Sequence, residues 1–249
     1  MGNRHPHEQS AGLAALAGLL ADRTRATICL ALLDGRAWTA TELARHAQVA
    51  ASTATGHLNL LVDGGLLTQE RQGRHRYVRL AGPGTAELIE LLTANLPHRP
   101  EPVSSLSMAR QRGALAQGRT CYDHLAGKLG VGIADAMTAR GHLDWARGLT
   151  LTEPGTAWLR GLGVALPPSG SGRRPVVRSC LDWTERRPHL AGAVGAALCR
   201  YAFDAGWITR IGTSRAVALT GLGRDALREQ LDLPDEVVER QPDASTRGG

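Results

Sequence analysis

Apolar residues recur at helical spacing along most of the chain. Leu13, Leu16, Leu19 and Leu20 share one face of a first helix, and Leu58, Leu61 and Val62 share a face of a later one. Two short stretches alternate instead. Residues 66–70 and 75–80 predict a β-hairpin around Arg71-Gln72-Gly73-Arg74. Ahead of it, Thr39 or Thr41 caps a short helix running through Glu42, Leu43, Ala44 and Ala47. After a turn at 48–51, Ser52 or Thr53 starts a second helix, which ends at Gly64-Gly65, where a left-handed cap requires glycine. Two helices joined by a short turn and followed by a basic hairpin form a helix-turn-helix with a wing.

The pattern then breaks at Pro97, Pro100 and Pro102, and again in the loop 167–175. The expected organisation is a disordered N-terminus (1–10), a winged helix-turn-helix for DNA binding and dimerisation (11–96), a linker (97–103), a C-terminal sensor or regulatory domain (104–233) and a flexible tail (234–249). Three segments share one pattern: RYVRLAGPGTAEL (76–88), RGLTLTEPGTAWL (147–159) and RAVALTGLGRDAL (215–227). Each reads as a strand ending in Leu, a turn with Gly four residues later, and a helix start. The fold expected is mainly α with short β-hairpins: one full winged helix, then two degenerate winged-helix-like copies at 104–165 and 176–233. In both copies the helix runs straight through where a turn should precede a recognition helix, so neither is expected to read DNA.

Composition sharpens this reading. The chain has 249 residues and a net charge of +6, and Lys128 is its single lysine, so nearly all positive charge is arginine. That balance suits an anionic partner such as nucleic acid. The small-apolar run 11–21 is followed at once by Asp22, Arg23 and Arg25, which fits a first helix rather than a cleaved leader. No apolar run approaches the roughly 20 residues of a membrane span. The expectation is a cytoplasmic protein with reduced cysteines and no membrane partner.

On the second helix of the motif, Ser52, Thr53, Thr55, His57 and Asn59 point outward, with no acid until Asp63. Asn59 and His57 suit base edges, and the hydroxyls suit phosphates or thymine methyls. Arg71, Arg74, His75 and Arg76 load the wing for backbone or minor-groove contact.

These residues carry a resemblance. The segment 42–67 resembles the helix-turn-helix of ArsR-type repressors through Glu42-Leu43-Ala44, Ser52-Thr53, His57-Leu58 and Gly65-Leu66. The resemblance covers about residues 11–96. It implies a homodimer, built through the first helix and the helix after the wing, on a double-stranded operator with two half-sites. The family's Cys-x-Cys metal site is absent: Ala44 and His46 stand at its positions. Glu87, Glu90 and His98 do not supply the acid and His pairs of its zinc sensors.

The excess length falls in the C-terminal half. There Cys121, Tyr122, Asp123 and His124 are echoed by Cys180, Asp182, Trp183 and His189, each set followed by Leu-Ala-Gly. Three sensor chemistries fit. Cys121, His124, Cys180 and His189 make a Cys2His2 metal set with Asp123 or Asp182 beside it, Cys121 and His124 sharing a helix face at i, i+3. Cys121 and Cys180 make a thiol switch, with Arg119 and Arg178 favouring the thiolate. Tyr122, Trp183 and Trp207 wall a small-molecule pocket. Against all three stands inert packing, with Cys29 and Cys199 in the core. No cofactor is fixed; a metal ion or small-molecule effector is the candidate. The leading expectation is a repressor released from its operator by a signal sensed in this half. The alternatives are a cytosolic enzyme with a Cys/His site, against which stands the absence of nucleophile-elbow, phosphate-loop and dinucleotide motifs, and an architectural winged-helix protein without a sensor.

Overall fold

A computed structural model describes residues 6–73, 75–96, 106–166, 174–212 and 214–239. Cα packing divides the chain into two units, Met1–Ile89 and Glu90–Gly249. The expected linker, 97–103, lies outside the described residues, and the division falls earlier, inside a helix.

The first unit opens with α1 (Pro6–Leu20) and α2 (Arg23–Ala31). Disorder was expected through residue 10, but the helix starts at Pro6. A proline at the first helical position is pre-set for helix, and Glu8 favours the positive helix end. Asp22 caps α2 by accepting from the Arg25 backbone N–H at 2.9 Å. The Arg25 side chain in turn donates to the Gly18 and Leu19 carbonyls that end α1. A 3-10 turn, Leu32–Asp34, follows. Buried Asp34 accepts from the Arg36 backbone, the Arg36 guanidinium and the Trp38 indole.

Next come β1 (Trp38–Thr39), α3 (Ala40–His46) and α4 (Ala51–Asp63). Of the two threonines considered, Thr39 caps α3, in a reciprocal capping box with Glu42. The helix-turn-helix core is Leu43, Ala54, Leu58 and Leu61, all fully or almost fully buried. α4 closes on Gly65 at φ 74°, whose N–H reaches the Val62 carbonyl while that of Leu66 reaches Leu61. The wing is β2 (Leu67–Gln72) against β3 (His75–Leu80), with β1 on the far side of β3 in the order β1-β3-β2. Thus Arg71 and Gln72 lie on a strand rather than in the turn, facing Arg76 and His75. Then α5 (Pro83–Ala94) runs across the division between the units.

The second unit begins with α6 (Leu106–Gln117). The expected continuous helices of the C-terminal half are each interrupted. A hairpin, β4 (Arg119–Cys121) with β5 (His124–Ala126), leads into α7 (Gly127–Ala139), a two-strand ladder of β6 (Leu143–Asp144) and β7 (Thr150–Leu151), and α8 (Glu153–Gly161). The same order recurs in β8 (Arg178–Leu181), β9 (Pro188–Ala191), α9 (Gly192–Asp204), β10 (Ile208–Arg210), β11 (Val217–Leu219) and α10 (Gly221–Leu231). So the His-Leu-Ala stretches are strands, and the helices start only at Gly127 and Gly192. Both glycines have positive φ (76° and 85°) and backbone of another segment close against the Cα. Gly130 and Gly195 sit against the Leu125 and Leu190 carbonyls of their own hairpins, not against a second helix.

The tail was expected to be flexible from 234. Instead α11 (Asp235–Val238) docks, because Val237 and Val238 are apolar enough to join the main core. Val237 packs over Gly132, and its carbonyl accepts from the Gln117 amide at 2.9 Å. That core also holds Leu129, Ile133, Met137, Leu159, Val194, Leu198, Trp207, Leu227 and Leu231. Among the described residues, no helix is long and apolar enough to cross a membrane.

Candidate nucleic-acid interface and buried cysteine-histidine cluster

α4 starts without a side-chain cap: Ala50 holds the cap position. Ser52 and Thr53 are therefore not spent on capping and stand exposed in the first turn. Exposed Thr55 returns its hydroxyl to the Ala51 carbonyl, and exposed Asn59 accepts from Arg76 Nη1 at 2.8 Å. His57 departs from the outward set. It is half-buried, with Nδ1 3.7 Å from Asp22 Oδ1. Spacings of four and three carry Ala54, Leu58 and Leu61 inward, and His57, next to Leu58, leans to Asp22 between α1 and α2. Arg71 is exposed on β2, while Arg74 and the His75 side chain lie outside the described residues. Arg45, in the last turn of α3, and Gln48, in the turn before α4, are exposed as well, and neither was singled out from the sequence. Gln48 adopts φ 56°, which orients that turn. A helix end with unspent hydroxyls, beside a basic hairpin, offers N–H and guanidinium donors to an anion.

In the second unit the two Cys sets converge. Cys121 pairs directly with His124 across β4–β5, and Cys180 with His189 across β8–β9. The expected shared helix face is thus a cross-strand pair, in which directly opposite residues project to the same side. Tyr122, at φ 60°, makes the two-residue turn between Cys121 and His124. α7 packs on β9 and α9 on β5, so each helix covers the other set's hairpin.

The four side chains meet. Cys121 Sγ and Cys180 Sγ are 3.9 Å apart, and His124 Nε2 and His189 Nε2 are 3.1 Å apart. All four candidate ligand atoms lie within 4.8 Å of one another. The residues are 1%, 3%, 4% and 0% exposed for Cys121, His124, Cys180 and His189. Both other ring nitrogens face carboxylates: His124 Nδ1 is 3.3 Å from Asp123 Oδ1, and His189 Nδ1 is 3.7 Å from Asp182 Oδ2. Arg174 grips Asp123 with two bonds, at 2.6 and 2.9 Å. Arg119, fully buried, reaches Asp182 at 2.8 Å, and the Gly127 backbone N–H reaches the same oxygen at 2.6 Å.

Burial works to raise the Asp123 carboxyl, but hydrogen bonds from His124 and Arg174 outweigh it and hold it at about 2. Asp182 is likewise held far below the carboxylate range: burial opposes, and the Arg119 charge, Thr184 and two backbone N–H groups prevail. Between the thiols, a hydrogen bond from Cys121 pulls Cys180 down toward thiolate, helped by His124 and His189, while burial pushes Cys121 up. Arg119 was expected to activate a thiol, but its charge is committed to Asp182. Cys29 and Cys199 are buried and pushed up to about 12 by that burial.

The aromatic trio does not form one wall. Trp207 is in the main core, edge-on to Tyr201 at 5.1 Å between ring centroids. Trp183 covers the Arg119 guanidinium at 4.7 Å. Tyr122 forms the hairpin turn.

The helix-turn-helix with its wing defines the class: a DNA-binding regulator. A family model described as a helix-turn-helix domain matches residues 20–70. The HTH-type transcriptional regulator YdfF of Bacillus subtilis (strain 168) is 38% identical over 222 residues, which cover 89% of this chain and 97% of that protein. The chain belongs to the HTH-type transcriptional regulators, and its first unit is a winged helix-turn-helix. Solved structures align with a fraction of it. A homodimeric winged helix-turn-helix DNA-binding domain, Mb0332 from Mycobacterium bovis, is 28% identical, covers 37% of this chain and 86% of its own, and gives a TM-score of 0.33. The transcriptional repressor BigR from Xylella fastidiosa is 19% identical, covers 40% of this chain and 100% of its own, and gives 0.34.

Proposed function

We propose that the protein is a homodimeric repressor that reads a two-half-site operator through α4 and the β2–β3 wing. A signal sensed in the C-terminal half releases it. The observation that carries this reading is the exposed, acid-free first turns of α4 beside Arg71 and Arg76. In the proposed roles, Asn59 reads a base edge, Ser52, Thr53 and Thr55 meet backbone or thymine methyls, and the wing residues Arg71, Arg74, His75 and Arg76 meet phosphates or the minor groove. His57 acts from its place beside Asp22, by orienting the helix.

Dimerisation is supported by unspent apolar surface. Leu13 on α1 is 68% exposed, and Leu91 and Leu92 on α5 are 44% and 49% exposed. For a monomer, these leucines would waste burial free energy. The C-terminal half is read as two degenerate winged-helix-like copies, supported by the twice-repeated order of hairpin, helix, ladder and helix. Among the described residues, neither copy offers a helix-turn-helix with an exposed polar face, which suits sensing rather than reading.

The test is operator selection from random duplexes with the full chain, followed by sedimentation of the complex. The reading expects an inverted repeat with half-site centres one helical turn, about 34–36 Å, apart and two chains per duplex. Recovery of no enriched sequence, or one chain per site, would overturn it.

A further inference from the structure

We infer that Cys121, His124, Cys180 and His189 bind one zinc-type divalent ion per chain, in a closed tetrahedral site that clamps the two hairpins together. The site does not depend on the chain's reading DNA, and its test contains no DNA.

The donor set fits in four respects. The first is size. With bonds of about 2.3 Å to sulfur and 2.0–2.1 Å to nitrogen, a regular tetrahedron has S–S edges of about 3.8 Å and N–N edges of about 3.3–3.4 Å. The observed separations are 3.9 Å and 3.1 Å. The second is the tautomer of the imidazoles. His124 Nδ1 lies 3.3 Å from Asp123 Oδ1, which favours a proton there, while His189 Nδ1 is buried without a hydrogen-bond partner, 3.7 Å from Asp182 Oδ2 and free to take the proton on that side. With the proton of each ring on Nδ1, both Nε2 lone pairs, 3.1 Å apart, would be free for a cation between them.

Third, charge selects the ion. Asp123 is balanced by Arg174, and Asp182 by Arg119. On binding, the thiol protons pass to solvent, and two thiolates with two neutral imidazoles around a divalent ion leave the buried cluster neutral, whereas a monovalent ion strands a negative charge. Soft sulfur with imidazole in a tetrahedron selects zinc over magnesium or calcium. Fourth, all four ligands are buried, so no coordination position opens to water or substrate. That is the form of a structural ion rather than a catalytic one. Each hairpin supplies one Cys and one His, so neither half of the unit holds the ion alone.

The full-length chain, reduced and kept anaerobic, should be titrated with Co²⁺ and then Zn²⁺. One equivalent of cobalt should give the intense visible bands of a tetrahedral ion and a thiolate charge-transfer band, all displaced by one equivalent of zinc. His189→Ala should weaken cobalt binding at least tenfold, with Cys29→Ser as a control that does not. Cys180→His should keep the tetrahedral bands and lose about half the charge-transfer intensity, which separates ligation from a folding role. In the unaltered protein, zinc should slow diamide cross-linking of Cys121 to Cys180 at least tenfold. Three results would overturn the site: no stoichiometric cobalt, an octahedral spectrum without thiolate character, or cross-linking equally fast with and without zinc.

Discussion

Arg76 on β3 donates from Nη1 to Asn59 Oδ1 on α4 at 2.8 Å, tying the wing to the outer face of the second helix of the motif. The bond fixes the Asn59 amide and leaves its NH2 group for a partner. A side-chain amide reading adenine is worth about 1–3 kcal/mol of discrimination. Asn59→Ala should therefore lower the ratio of operator to random-DNA affinity about tenfold or more, with random binding nearly unchanged. Anisotropy titrations on both duplexes measure this. Equal losses on both would reduce Asn59 to a partner of Arg76.

Arg71 stands directly across the ladder from Arg76. Like charges directly opposite one another destabilise a hairpin unless an anion lies between them. Arg71→Ala should leave the thermal midpoint of the free protein unchanged or higher, yet weaken binding to every duplex. The slope of log affinity against log salt should fall by about 0.9 for the lost phosphate contact. A lower midpoint with unchanged DNA binding would assign Arg71 to the fold alone.

One repeated glycine separates the wing of the first unit from its counterparts. A Cβ on Gly155 would meet the His142 carbonyl, and one on Gly223 the Trp207 carbonyl, while nothing lies within 4 Å of one on Gly84. Thr152 and Thr220 cap the helices that Gly155 and Gly223 enter, each reaching its own glycine N–H at 3.0 Å. Overpacking costs typically about 1–3 kcal/mol, and Gly to Ala inside a free helix gains about 0.5–1 kcal/mol. Gly155→Ala and Gly223→Ala should thus destabilise the protein, and Gly84→Ala should not. Denaturant midpoints of the three variants test the contrast.

This glycine shows what the sequence made legible and what it hid. Its spacing after a strand-final Leu was visible three times, yet its reason differs between places, because carbonyl contacts are set by packing. The helix-turn-helix was readable since its caps, apolar spacing and Gly65 are all local. The cysteine cluster was readable as residue types but not as geometry. Cys121 and His124 at i, i+3 fit a helix face as well as a hairpin. Tyr122 at φ 60°, which decides for the hairpin, is not a residue that sequence expects there. The third wing strand, β1, is two residues long and carries no alternation to find.

Cys29 and Cys199 make a prediction about alkali. Burial raises each thiol from 9.0 to about 12. Below pH 9 both are protonated, folded or unfolded, and their contribution is fully present. Above it the unfolded chain loses the protons first, so stability falls as pH rises from 9 toward 12, by at most about 1.4 kcal/mol per pH unit for each thiol. Cys199→Ala should flatten this decline between pH 9 and 10.5 while lowering stability at neutral pH. An unchanged slope in thermal midpoint against pH would show that the Cys199 thiol ionises in the folded protein.

Arg215 links the hairpin of Cys121 to α5. Its carbonyl accepts the Thr120 backbone N–H at 2.9 Å, and its Nη1 lies 2.8 Å from Glu90 Oε1. The side chains are only 11% and 2% exposed. Removing one member of a buried pair costs about 3–5 kcal/mol, chiefly because the other is left charged without a partner. Glu90→Leu should therefore be strongly destabilising, and adding Arg215→Leu should recover much of the loss. A double-mutant cycle from denaturant unfolding measures the coupling. A value below about 0.5 kcal/mol would mean that apolar packing alone, not this pair, holds the last turns of α5 in place, since independent sites add to within that margin.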